Sequence, residues 1–161
     1  MKFSLFLMLA ATLLFNGCRP ESFSDLGIPA DNINSLNGTW KLDRVIQTDA
    51  DARQKGFPYQ SLDITNFFPF QDFRLTVDVA AKTFSTTPGN APQVIELTSG
   101  TWSADNEDAP KNLELVNGTD TAIVVLGSYP NAVNPKLKLK VERKDNAGKV
   151  LIIYDYEFSK Q

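Results

Sequence analysis

The side chains that ordinarily carry catalysis are scarce in this sequence. None of its 161 residues is histidine, which removes the commonest general base and the commonest metal ligand. Its single cysteine, Cys18, can form neither an internal disulfide nor a thiolate metal cluster. The remaining carboxylates, hydroxyls, lysines and tyrosines admit one enzyme class, a hydrolase working through a carboxylate pair as glycosidases do. No such pair stands out, because many Asp and Glu fall on outward strand positions or in turns, where solubility alone puts them. The chain is therefore read as a non-enzyme without cofactor or metal. The acidic loop Asp105-Asn106-Glu107-Asp108 offers oxygen ligands of the kind calcium takes, but its spacing fits no EF-hand and a solvated turn is preferred.

Binding chemistry is better represented. Phe57, Tyr59, Phe67, Phe68, Phe70 and Phe73 crowd into GFPYQSLDITNFFPFQDF, and with Trp40 and Trp102 they form a candidate lining for an apolar ligand cavity. The competing reading is an ordinary core, since large aromatics are buried by default. It is preferred for the aromatic stretch and for Trp40, while Trp102 stands evenly between the two. Lys136, Lys138 and Lys140, with Arg143, Lys144 and Lys149, make a basic strand face suited to headgroups or an acidic glycan. Lysines also keep exposed strand edges from associating, which is the preferred explanation. A net charge of −3 and a pI near 4.9 leave no footprint for nucleic acid.

These residues need elements to position them. Met1-Lys2 and the apolar run FSLFLMLAATLLF have the layout of a secretory signal over residues 1–17. At about 13 residues the run is shorter than the ~20 a membrane-spanning helix requires. Residues 18–35 then read as a polar, proline-containing tether. Residues 36–161 form one domain of a size that buries a core without disulfides.

Period-two alternation dominates that domain. Trp40, Leu42 and Ile46 share one face, as do Phe73, Leu75, Val77 and Val79, and again Leu137, Leu139 and Val141. Asn117-Gly118 predicts a tight hairpin, and Asp145-Asn146-Ala147-Gly148 predicts another before the strand carrying Val150, Ile152, Tyr154, Tyr156 and Phe158. Shorter strands are expected at 62–65, 84–87, 94–98 and 101–104, with no amphipathic helix. The fold class is all-β: an antiparallel meander of eight or nine strands closing into a barrel, with a β-sandwich as the alternative.

Three resemblances extend this reading. Leu14-Phe15-Asn16-Gly17-Cys18 resembles the lipobox of bacterial lipoproteins, which implies cleavage before Cys18, lipidation of its thiol and anchoring to a membrane of the cell envelope, the outer membrane in the usual case. Gly38-Thr39-Trp40, opening the first strand, resembles the lipocalin signature and implies a barrel closed at one end by Trp40. In lipocalins a basic residue late in the last strand packs over that Trp, and Lys160 is placed to do so. The whole arrangement, from signal to LNGTWKL to β-rich remainder, is similar to the lipocalin-like lipoproteins of unknown function found in Bacteroidetes. Asp120-Thr121-Ala122 also fits the O-glycosylation pattern of that group, with Thr121 as acceptor.

Two functions remain open. The first is a non-catalytic, membrane-anchored module that binds a small apolar or amphipathic ligand, or a glycan. The alternative is an accessory envelope protein with a packed barrel that docks a protein partner. The volume of the barrel interior separates them.

Overall fold

The computed structural model describes residues 31–161; the signal segment, Cys18 and residues 19–30 of the tether lie outside the described residues. Nine strands run in sequence: β1 (Gly38–Asp49), β2 (Ser61–Asp63), β3 (Arg74–Asp78), β4 (Thr83–Thr87), β5 (Ser99–Ala104), β6 (Asn112–Asn117), β7 (Asp120–Ser128), β8 (Lys136–Lys144) and β9 (Val150–Lys160). Two one-turn helices, α1 (Asn32–Ser35) and α2 (Ala50–Gln54), are each capped by an aspartate, Asp31 and Asp49, whose carboxylates accept the N–H of Asn34 and Ala52.

The sheet is an antiparallel meander that closes when β9 pairs with β1. Eight strands form the ring, and β2 is an addition outside it. Closure rather than two facing sheets makes this a barrel of the lipocalin-like kind, and it decides against a sandwich. β1 spends one edge on β9 and divides the other, giving residues 38–41 to β3 and residues 46–48 to β2.

Alternation put the expected residues inside. Trp40, Leu42, Leu75, Val77, Leu137, Leu139, Tyr156 and Phe158 are all buried in one core. Ile46 is an exception, because the register of β1 against β9 shifts between Leu42 and Arg44. The extra residue exchanges the faces, so Val45 is fully buried and Ile46 is half-exposed.

Four further expectations need correction. Residues 94–98 form no strand: Val94 and Ile95 are both buried, which consecutive residues on a one-sided strand cannot be. They belong to a loop that packs on the core. The tight hairpin turns one residue later than predicted, at Gly118-Thr119, because Asn117 stays extended opposite Asp120 and Gly118 alone takes positive φ, +62°. The domain also begins earlier than residue 36, since α1 carries Ile33 into the core and Leu36 follows it. Finally, β8 is no edge strand through residues 138–140, where a strand pairs with it on either side. It pairs with β7 and β9, and its Lys138 and Lys140 meet Glu157 and Asp155 on β9, while Lys136 reaches Asp43 on β1. Lys136, Lys138 and Lys140 therefore answer neighbouring carboxylates rather than guarding an edge.

Candidate functional site

Each Trp is held by the same three devices. Trp40 donates its Nε1–H to the Leu36 carbonyl at 2.8 Å, and Trp102 donates to Asp78 at 3.3 Å. A lysine ammonium sits over each ring: Lys160 5.4 Å from the Trp40 centroid and Lys82 4.6 Å from that of Trp102. Each Trp also follows a Gly-Thr pair whose glycine has positive φ, +122° at Gly38 and +152° at Gly100. Both indoles are thus core residues with satisfied donors, and Lys160 occupies the place the lipocalin resemblance assigned to it.

Phe73 joins them, 6.3 Å from Phe158 between ring centroids. Among the described residues an apolar void bounded by Leu75, Phe84, Ile95, Trp102, Leu115 and Leu139 amounts to about 20 Å³. That is scarcely more than the ~10–15 Å³ one water needs, and water also requires polar partners that this lining lacks. A bound organic molecule needs ~300 Å³ or more.

The aromatic stretch divides in two. Phe70, in a 3-10 turn over Phe70–Asp72, is 4% exposed, and Phe73 is 2% exposed. Phe67 and Phe68 are 63% and 52% exposed, and Phe57, Tyr59 and Leu62 in the same connection are exposed as well. Residues 57–68 therefore carry five large apolar side chains to the surface. Phe68 packs edge-on against buried Phe70 at 5.7 Å, which ties the exposed group to the core. The connection is braced by Asp63, which accepts from the Thr65 hydroxyl, the Arg44 guanidinium and the Thr65 N–H; these hold its carboxyl down at about 2.

The acidic loop is a folded turn. Asp105 accepts from the N–H groups of Lys111 and Asn112, and the latter bond in particular lowers its pKa; Asn106 accepts from Asp108 and Ala109. Among the described residues, no three of His, Cys, Asp or Glu are grouped to hold a metal ion. Thr121 is exposed at the start of β7, opposite Val116.

A cleft of about 490 Å³, unannounced by any residue pattern, opens between β7 and β8. The ladder joining these strands stops at Val125 opposite Lys140, and residues 121–125 and 141–144 form the two banks, with Ile95 and Glu96 completing the lining. Strand pairing is a tertiary outcome, and alternation within either strand carries no trace of it.

The family model described as Domain of unknown function (DUF5004) matches residues 16–123, more than half of the chain. No curated protein matches it.

Proposed function

We propose that this chain, which belongs to the DUF5004 family, is a lipid-anchored lipoprotein of the bacterial envelope whose packed barrel docks a protein partner. The observation that carries the choice of partner over cargo is the contrast between core and surface among the described residues. The apolar void between Trp102, Leu115 and Leu139 is about 20 Å³, while five large apolar side chains stand exposed along residues 57–68. A contiguous exposed apolar patch marks an interaction site, and these five side chains, which share one connection, are taken as such a surface. The anchor rests on the resemblance of residues 14–18 to a lipobox, and two or more acyl chains on Cys18 would give stable attachment. No catalytic step is assigned.

The test uses the full chain produced in a bacterial host. Native and denatured masses of the detergent-solubilised protein are compared, and a photo-crosslinking residue replaces Phe67 or, as control, the exposed Val133. Equal masses beyond the lipid adduct, a discrete crosslinked species from position 67 alone and loss of the lipid adduct in Cys18→Ser are expected. A reproducible small-molecule mass on the native protein would overturn docking in favour of cargo, and an unlipidated Cys18 would remove the anchor.

A further inference from the structure

Where β7 and β8 separate, two sheet edges face each other without a partner strand among the described residues. Continued register would place Val124 opposite Val141, Ile123 opposite Glu142, Ala122 opposite Arg143 and Thr121 opposite Lys144. The ladder instead ends at Val125 and Lys140. On their far sides both banks are fully engaged, residues 120–125 with β6 and residues 136–144 with β9.

The separation has local causes. A bulge between Leu126 and Ser128 sets Gly127 out of register, and a bulge bends and twists the strand that carries it. Ile95, 5% exposed, lines both this cleft and the core void beside Val124 and Leu139, and Glu96 next to it binds Arg143. The loop over residues 88–98 thus meets the seam from the core side. The cleft continues along the outer face by Ser103, Asn112 and Glu114.

We infer that this seam is a receptor for an extended peptide segment of a partner protein, which inserts as an additional strand between β7 and β8. The chemistry of the banks selects that occupant. Each bank presents alternating N–H donors and C=O acceptors, and only an extended backbone supplies complementary groups toward both sides at strand spacing. The charges at the seam are already answered within the chain, Arg143 by Glu96 and Lys144 by Glu142, so the slot favours a segment without net charge. Val124 and Val141 at its floor are buried, whereas Ile123 on the bank is 65% exposed. An inserted strand would lay one set of alternate side chains against the first pair and cover Ile123 with its own edge. The seam is separate from residues 57–68, so this inference stands whether or not the aromatic segment docks anything.

Hydrogen exchange resolved by residue on the full chain in detergent micelles tests it. The probe is an eight-residue peptide of alternating threonine and valine, and its control is the same peptide N-methylated at each valine, which removes donors from one edge. In the free chain the seam-facing amides of residues 121–124 and 141–144 should exchange quickly, and saturation with the probe should slow them at least tenfold. Ile123→Asp should keep the fold and weaken probe binding tenfold or more. Slow exchange at these amides in the free chain at every concentration would overturn the inference, because the edges would already be paired. Protection that grows with chain concentration alone would replace the partner peptide by a second copy. Equal protection by the N-methylated control, or none by the probe, would also overturn it.

Discussion

Lys160 and Trp40 are register partners across the β9–β1 seam, and the lysine ammonium lies 5.4 Å from the centre of the indole. Gly38 makes this possible: a Cβ there would lie 2.9 Å from Lys160 Cε. The Gly-x-Trp triplet thus works as a unit with a residue 120 positions away in the chain, and it does so where closure of the barrel depends on the last strand staying in place.

Removing that contact should loosen the seam modestly. Lys160→Ala is expected to cost ~0.5–1 kcal/mol, the usual range for an exposed cation over an aromatic face. For a domain of this size that lowers Tm by ~2–4 °C. The check is a double-mutant cycle with Trp40→Phe, in which the two losses must fail to add.

Gly100 is constrained more tightly than Gly38. Its φ is +152°, and an added Cβ would run into the Val116 carbonyl on β6. Gly100→Ala should therefore destabilise by ~1–3 kcal/mol or more, from backbone strain compounded by the clash. Gly118→Ala, also at positive φ but facing open space, should cost only the ~1–2 kcal/mol of the left-handed conformation. Urea unfolding of the two variants side by side gives the comparison.

Neighbouring phenylalanines should respond oppositely. Phe73→Ala, in the core, is expected to cost ~3–5 kcal/mol. Phe67→Ser should stay within ~0.5 kcal/mol of the parent, since an exposed side chain away from structural bonds contributes little. If Phe67→Ser unfolds the protein, the segment over residues 57–68 is structural and the docking reading loses its surface.

Acid should destabilise the fold in a defined window. The Asp63 carboxyl is held at about 2, against an ordinary 3.8, and Asp31, Asp43 and Asp105 are also lowered. At Asp43 burial opposes ionisation, but the bonds from Lys136 and Ser159 outweigh it. A carboxyl lowered by folding takes up its proton first in the unfolded chain. Stability is therefore fully present above the ordinary carboxyl range and declines as pH falls from there toward 2. Tyr156 works in the other direction: burial raises its hydroxyl pKa, so stability is present below 10 and falls as pH rises beyond it. Urea midpoints across both windows, with Asp63→Asn expected to flatten the acid limb and Tyr156→Phe the alkaline one, provide the measurement.

Alternation of apolar and polar residues determined a great deal by itself. Side chains two apart on a strand share a face whatever the strand pairs with, so Leu137, Leu139 and Val141, or Leu75 and Val77, were assignable to the core from local pattern alone. The Gly-x-Trp triplet pointed to the closing Lys160 because its resemblance carried the geometry of a closed barrel. The tertiary structure decided whatever depends on a partner strand. A one-residue shift against β9 exchanged Val45 for Ile46. The 3-10 turn took Phe70 inward and left Phe67 and Phe68 outside, although all three belong to one aromatic run. The bulge beside Gly127 and the loop carrying Ile95 ended the β7–β8 ladder halfway. Side-chain period is a property of one strand, whereas register, bulges and unpaired edges are properties of two. A single chain read from end to end contains the first and only the folded barrel contains the second.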